Sequence, residues 1–219
     1  MKTSSIRKTQ DKNFKFLILL SGSITLILFL IFSVLAYIDL FTSFDFNTTL
    51  KLQEIIPRTY DTPFSLFSLL GSFEVTAFIL VFLLFLLKKA RGVYVLCLFF
   101  LAIGIEVLGK TLIDHPGPPL FFLRYNFPFN FPSSAVDTGS SFPSGHSTRT
   151  AFIGVFALIL ILKSQKLSRN QRILMSFVIL LIVLTMLVSR VYLGEHWVSD
   201  VMGGFLLGTG FSLVAGLFL

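Results

Sequence analysis

A polar stretch near the end of the sequence contains residue types that can handle phosphate. Residues 189–200 read SRVYLGEHWVSD and separate two apolar runs. If a helix begins near Trp197, His196 and Asp200 lie four positions apart on one face, and the carboxylate can fix which imidazole nitrogen carries the proton. The other nitrogen is then available as a nucleophile, and the guanidinium of Arg190 matches the geometry of phosphate oxygens. The pattern favours phosphoryl transfer, although this window alone also fits a polar turn with Arg190 and Asp200 as interfacial anchors.

A second motif, residues 141–147 (SFPSGHS), closes a long loop and precedes another apolar run. Pro143 and Ser144 favour a helix start, and Gly145 lets the backbone come close to a ligand. The N–H groups at a helix start, together with the positive end of the helix dipole, form an anion site. His146 adds a group that titrates near neutral pH. The motif therefore predicts a second part of a phosphate site.

The elements that must position these motifs are membrane helices. Of the 219 residues, 54% are apolar and only 13% are charged, whereas soluble domains carry about 25% charged residues. The net charge of +7 would suggest nucleic acid as a partner of a soluble chain, but this composition indicates an integral membrane protein, so no nucleic-acid partner is expected. The single cysteine, Cys97, excludes an internal disulfide.

Six apolar runs predict an all-α, six-transmembrane-helix bundle. Residues 1–15 form a basic N-terminal tail, and residues 16–219 form the membrane domain. At about 1.5 Å per residue, most runs approach or span a hydrocarbon core of about 30 Å. The fourth run is short, so its helix must begin close to Ser147 or tilt little. The runs are 16–38, 64–87, 93–113, 148–162, 173–189 and 198–219.

The basic residues predict the orientation of the chain in the membrane. Twelve of the 18 lysines and arginines precede span one or follow spans two and four, on the side that the positive-inside rule makes cytoplasmic. Both motifs and all three histidines then face outward. We therefore expect a multi-pass plasma-membrane protein with a cytoplasmic N-terminus and an outer-face site. The twelve are Lys2, Arg7, Lys8, Lys12, Lys15, Lys88, Lys89, Arg91, Lys163, Lys166, Arg169 and Arg172.

Two outer loops and one charged pair complete the organisation. Residues 39–63 and 114–147 are predicted loops, and the second is rich in Phe and Pro. Such aromatic residues are typical of the headgroup layer, and they are also compatible with guiding a lipid headgroup to the site. Glu106 precedes Lys110 by four positions, so we expect the carboxylate to hold that lysine.

Together the two motifs resemble those of the type 2 phosphatidic acid phosphatase superfamily, which also includes the vanadium haloperoxidases and glucose-6-phosphatase. The signature S-R-x5-H-x3-D is met in full within residues 189–200, and P-S-G-H is met by residues 143–146. The signature K-x6-R-P is met only in part, because Lys110 and Pro118 fit but Gly117 stands at the arginine position. The resemblance covers about residues 64–219 and implies a helical bundle of the PAP2/haloperoxidase type.

The resemblance implies a role for each matched residue. His196 attacks phosphorus and forms a phosphohistidine, while Asp200 orients its ring. His146 protonates the leaving oxygen and then activates water. The family needs no metal, so neither a metal nor a cofactor is expected. The phosphoryl oxygens are held by Lys110, Ser144, Gly145 and Arg190.

The expected function is an integral membrane phosphatase that hydrolyses a lipid phosphate or a polyprenyl pyrophosphate of the lipid bilayer at the outer membrane face, through a phosphohistidine intermediate. Two alternatives stay open: a lipid phosphotransferase that uses an acceptor other than water, and a catalytically impaired scaffold or binding protein, because of Gly117.

Two nearby residues are candidates for the charged contact that is missing at Gly117. A loop rich in Pro and Gly could fold Arg124 back over the site. The guanidinium of Arg124 can bind phosphate through two donors, which favours it over His115. The alternative is that Arg124 is simply solvated at the outer surface.

Overall fold

The computed structural model describes residues 2–87, 91–124 and 139–219, without the side chains of residues 2–11. Within these ranges the chain is helical and contains no β-strand, which confirms the predicted all-α class. Lys88 and Lys89, counted above for the orientation, and residues 125–138 of the aromatic loop lie outside the described residues.

Eight α-helices follow one another in the described residues. They are α1 (Lys2–Tyr37), α2 (Thr42–Ile55), α3 (Asp61–Ser68), α4 (Phe73–Leu87), α5 (Gly92–Leu112), α6 (Gly145–Lys163), α7 (Arg169–Tyr192) and α8 (Val198–Ala215). Short 3-10 turns occupy Arg58–Tyr60, Leu69–Gly71, Leu120–Phe122 and Gly216–Phe218. Helix α1 begins at Lys2, so the basic tail is continuous with the first span.

Five of the described helices are long and apolar enough to cross a membrane, and a bent pair of helices makes a sixth candidate when the pair is counted as one span. The five segments are Lys12–Tyr37, Gly92–Leu112, Gly145–Lys163, Arg169–Tyr192 and Val198–Phe218. The predicted run 64–87 is not one straight helix, because Arg58–Gly71 and Phe73–Leu87 meet at 49°. The break lies at Ser72, whose backbone is extended and whose hydroxyl accepts the N–H of Val75 at 3.3 Å. A serine in this position starts a new helix rather than continuing the old one.

Helix α2 lies in a segment that the sequence predicted as a loop. Its buried side chains are Asp45, Thr49 and Gln53, which are polar and four residues apart, so they form a polar stripe on one face. Gln53 Nε2 donates to the carbonyl oxygens of Phe122 at 2.6 Å and Tyr192 at 2.8 Å. Apolar periodicity does not predict this helix, because its buried face is polar.

Helices α6 and α8 pack with their backbones in contact. A Cβ atom at Gly204 would overlap the carbonyl oxygen of Ser144, and one at Gly208 would overlap that of Thr148. Only glycine allows this approach. Gly204 faces Ser144 and Gly208 faces Thr148, so the residue numbers increase in the same direction along both helices. The two helices therefore run parallel and begin at the same end of the bundle. Beneath this end lies an aromatic core that includes Phe29, Phe99, Phe142, Phe152, Phe156 and Phe211.

Candidate active site

The two polar motifs meet where α6 and α8 begin. The N–H of Ser144 donates to the carbonyl oxygen of Asp200 at 2.9 Å. The first turn of α6 closes when the N–H of Thr148 donates to the Ser144 carbonyl at 3.0 Å, so the N–H groups of Gly145, His146 and Ser147 have no acceptor within the helix. This arrangement is an anion-binding helix start.

The turn between α7 and α8 carries His196. Gly194 has φ +70°, and a side chain there would overlap the Phe122 carbonyl, so the turn requires glycine. Asp200 is buried in the first turn of α8, and its Oδ2 accepts the N–H of Trp197 at 2.8 Å. The same oxygen lies 3.4 Å from Nδ1 of His196. The carboxylate therefore faces Nδ1 and leaves Nε2 as the nitrogen for reaction.

The surroundings of His196 favour its neutral form. Burial lowers the pKa of His196 well below its usual value of 6.5, and the positive charges of Arg190 and Lys110 act in the same direction. The carboxylate of Glu106 opposes them with a smaller effect than Arg190 or Lys110. A neutral imidazole keeps its lone pair, so His196 is suited to act as a nucleophile.

His146, the second residue of α6, lies against the break between α3 and α4. A Cβ atom at Gly71 would come within 2.9 Å of His146 Cδ2, so the glycine makes room for the imidazole. The charges of Arg190, Arg149, His196 and Lys110 act on this ring. The two motif histidines thus lie in one basic environment.

A buried carboxylate joins two basic residues beside the start of α6. Glu106 lies 3.3 Å from Lys110 Nζ and 3.2 Å from Nη1 of Arg149, so the predicted pair with Lys110 is present. Nε of Arg149 donates to the Gly71 carbonyl at 3.0 Å. Arg149 was not predicted as a site residue, although its position three residues after His146 places it on the same face of the helix. A side chain at Gly145 would overlap the Glu106 carboxylate.

Arg190 is almost completely buried at the end of α7, where it pairs with Glu195. Its carbonyl oxygen accepts the N–H groups of Glu195 at 3.3 Å and His196 at 3.4 Å. Arg190 and the nucleophile candidate are therefore held by one turn. The pair with Glu195 was not predicted, because helical spacing rules do not identify partners five residues apart across a turn.

The expectation that Arg124 folds over the phosphate site is corrected by its contacts. Its Nη2 donates to the Gln53 carbonyl at 2.9 Å, and Nη1 donates to the Ile56 carbonyl and the Tyr192 hydroxyl, both at 3.3 Å. The guanidinium also lies over the Tyr192 ring, 5.1 Å from its centroid. These contacts hold the Arg124 guanidinium between the end of α2 and the end of α7.

His115 does not take the place of the missing arginine either. Its ring is buried, and Nε2 lies 3.1 Å from Ser199 Oγ and 3.5 Å from Oδ1 of Asp200. These neighbours form the support of the carboxylate rather than a contact with phosphate. Gly117, which stands at the arginine position, lies near Ser141.

Metal-ligating side chains are not clustered in the part of the chain that the structure describes. No group of three or more His, Cys, Asp or Glu residues there could hold a metal ion. The prediction of a metal-independent reaction stays a prediction.

Comparison with known proteins gives one family and two similar folds. The model of the PAP2 superfamily matches residues 91–218, more than half of the chain. Phosphatidylglycerophosphatase B of Bacillus subtilis (strain 168) is 40% identical over 74 residues. That match covers 33% of this chain and 36% of the relative, so it spans about a third of the relative's length.

Two solved structures resemble most of this chain. The first transmembrane PAP2 type phosphatidylglycerolphosphate phosphatase from Bacillus subtilis superposes with a TM-score of 0.71 and 22% identity, over 89% of this chain and 93% of that one. LpxE from Aquifex aeolicus gives a TM-score of 0.58 and 21% identity, over 78% and 94%. At these identities the likeness shows the fold.

Proposed function

Because the chain belongs to the PAP2 superfamily, we propose that it is an integral membrane phosphatase acting on a lipid phosphate or pyrophosphate. One observation carries the proposal: the His196–Asp200 pair at the start of α8 lies beside the start of α6, which holds His146. Ser144 and Asp200 share a hydrogen bond of 2.9 Å, so both motifs serve a single site. A nucleophile, its orienting carboxylate, a second histidine and anion-binding N–H groups are the parts that phosphoryl transfer needs.

The proposed reaction has two steps with His196 as the nucleophile. Its Nε2 forms a bond to phosphorus while the bond from phosphorus to the leaving oxygen breaks, and His146 gives that oxygen a proton. In the second step His146 removes a proton from water, whose oxygen forms a bond to phosphorus as the phosphorus–nitrogen bond breaks. Asp200 stabilises the charge that develops on the imidazole of His196 in the first step.

The phosphoryl oxygens carry negative charge throughout this reaction. Arg190 and Lys110 supply positive charge, and the N–H groups at the start of α6 supply fixed donors. Ser144 has a buried hydroxyl oxygen without a hydrogen-bond partner among the described residues, which suits a further contact with phosphate. The arginine absent at Gly117 has no replacement from Arg124 or His115, so Arg149 is the remaining nearby guanidinium.

The shape of the molecule beside the site supports a lipid substrate. A cavity of about 260 Å³ lies between α4, α6 and α7, next to Thr150, one turn after His146. Apart from Thr76, its other walls are apolar and include Leu70, Ile153 and Ile179. An acyl or polyprenyl chain could occupy this cavity while its phosphate reaches the start of α6. The twelve clustered basic residues support an outer-face site.

Purified protein offered a panel of lipids tests the proposal. The panel contains phosphatidylglycerophosphate, suggested by the name of the 40% identical relative, together with phosphatidic acid and a polyprenyl pyrophosphate. We expect release of inorganic phosphate that is inhibited by vanadate and unaffected by a chelator, with His196→Ala as the inactive control. Phosphate appearing on a second lipid would instead support a phosphotransferase. Inertness toward the whole panel would favour a scaffold.

A further inference from the structure

His115 contacts the carboxylate oxygen of Asp200 that His196 does not use. Oδ2 of Asp200 faces His196 Nδ1 at 3.4 Å and the Trp197 N–H at 2.8 Å. Oδ1 lies 3.5 Å from Nε2 of His115. The carboxylate therefore lies between two imidazole rings, one partly exposed and one buried with 4% of its surface accessible.

The hydrogen on His115 can be assigned from its neighbours. Ser199 Oγ donates its single hydrogen to Oδ2 of Asp45 at 2.6 Å, while Oδ1 of Asp45 accepts the Ser199 N–H at 2.9 Å. Ser199 Oγ can then only accept from His115, 3.1 Å away. Nε2 of His115 must carry a hydrogen, which it donates to Ser199, and the same nitrogen lies 3.5 Å from Oδ1 of Asp200.

The ring of His115 is held firmly in this position. Its backbone N–H donates to Ser140 Oγ at 3.2 Å, and its carbonyl accepts the N–H of Ser141 at 2.9 Å and the Ser141 hydroxyl at 3.0 Å. The ring packs edge-on against Phe142, with centroids 6.2 Å apart. The segment before the P-S-G-H motif therefore fixes the histidine.

We propose that His115 is a positioning residue, which holds Asp200 so that the other carboxylate oxygen orients His196. The proposal rests on the proposed function, because it assigns His115 a part in the same reaction. A buried carboxylate is most stable when both of its oxygens have donors. Trp197 satisfies Oδ2, and Nε2 of His115 lies 3.5 Å from Oδ1. Asp45 accepts the hydrogen of the Ser199 hydroxyl, and Ser199 in turn accepts the Nε2 hydrogen of His115.

The kinetic constants separate this role from direct phosphate binding. If His115 acts through Asp200, His115→Ala should lower kcat and leave KM and vanadate inhibition nearly unchanged. The expected loss is about 10–100-fold, by analogy with the removal of outer-shell partners that orient metal ligands. His115→Gln, whose side-chain amide can donate from a similar position, should recover most of the rate. A rise in KM together with weaker vanadate inhibition would overturn the proposal in favour of direct phosphate binding.

A matched control uses an exposed carboxylate near this ring. Asp39 is exposed and its Oδ1 lies 3.9 Å from Nδ1 of His115, on the opposite ring nitrogen. Asp39→Asn should leave kcat unchanged. Equal losses in Asp39→Asn and His115→Ala would indicate a general effect on the outer surface and overturn the specific role.

A double-mutant cycle with Asp200 completes the test. In an Asp200→Asn background, His115→Ala should cost little further activity, because two residues that act through one another are not additive. Full additivity would overturn the proposal. The substrate is nitrophenyl phosphate, which does not depend on the identity of the lipid. A wild-type chain inert toward nitrophenyl phosphate and the lipid panel would overturn the proposed function and this role together, whereas an active wild type with an unaffected His115→Ala overturns only the role.

Chemical rescue by imidazole distinguishes a role of the His115 ring in the reaction from a merely structural role. A cavity of about 420 Å³ lies beside the ring and is lined by His115, Asp39, Asp45 and Trp197. Added imidazole should enter it and restore part of kcat in His115→Ala, with no effect on wild type or Asp200→Asn. Absence of rescue, in a variant whose thermal stability equals that of wild type, would overturn the role of the imidazole.

Discussion

The backbone N–H of Ser144 donates to the backbone carbonyl of Asp200 across 2.9 Å. The proposed phosphate-binding loop and the orienting carboxylate are thereby held in fixed relation, although 56 positions separate them in the sequence. Because only backbone atoms form this bond, side-chain changes at either residue leave it in place. What the bond does require is that α6 and α8 stay in close contact.

Enlarging Gly208 should disturb this contact. A Cβ atom there would overlap the Thr148 carbonyl, whereas Gly104 on α5 has no atom within 4 Å of its Cβ position. We expect Gly208→Ala to destabilise the protein by about 1–3 kcal/mol, the usual cost of overpacking, and to lower activity. Gly104→Ala is the matched control and should be neutral or slightly stabilising. Thermal unfolding in detergent measures both, and equal stabilities would contradict the described packing.

The two motif histidines should differ in their response to the leaving group. His196→Ala should be inert with every substrate, because no phosphoenzyme can form. His146→Ala loses the proton for the leaving group, a step worth typically 10²–10⁴-fold. A nitrophenyl phosphate, whose leaving group needs no proton, should partly restore phosphoenzyme formation in His146→Ala. Identical behaviour of the two variants would show that the roles are assigned wrongly.

The pH dependence of turnover should reflect the lowered pKa of His196. Burial and the Arg190 charge keep this pKa well below 6.5, so the imidazole stays neutral and nucleophilic as the pH falls through 6.5. We expect the acid limb of kcat/KM, which reports the pKa values of the free enzyme, to lie below pH 6.5. In the same window the unfolded chain takes up a proton that the folded chain does not, so stability should decrease as the pH falls. An acid limb above pH 6.5 would argue against a neutral nucleophile at that position.

Arg124 should matter for stability rather than for substrate binding. Removing its guanidinium leaves the carbonyls of Gln53 and Ile56 and the Tyr192 hydroxyl without a donor. Arg124→Ala should therefore lower the free energy of unfolding by about 1–3 kcal/mol with little change in KM. Arg124→Lys, which cannot form the same fork, should restore only part of the stability. A large rise in KM without loss of stability would instead indicate that Arg124 binds the substrate phosphate.

The outward orientation can be tested by labelling single cysteines in a Cys97→Ser background. Leu120 is 85% exposed on the segment that follows Gly117, and Lys166 is an exposed residue between α6 and α7. An impermeant thiol reagent should label Leu120→Cys in whole cells and Lys166→Cys only after lysis. The reverse pattern would invert the topology together with the proposed site.

The sequence by itself determined the membrane class, the family resemblance and the local geometry of each motif. Spacing alone placed His196 and Asp200 on one face, and Glu106 four residues before Lys110, because these relations depend only on the helical repeat. The apolar runs located the spans for the same reason. The polar helix α2 departed from those patterns because its partners are distant in sequence, and the span 64–87 departed because Ser72 starts a new helix.

The tertiary structure decided which residues surround the motifs. Arg149 reaches Glu106 and Gly71, Asp45 reaches Ser199 across 154 positions, and His115 reaches Asp200 across 85. No local rule predicts such contacts, because they arise from the close parallel packing of α6 and α8 and from the loops folded over their ends. The same packing gave Arg124 and His115 their partners. Both side chains are taken up by structural contacts, which sequence spacing could not distinguish from phosphate binding.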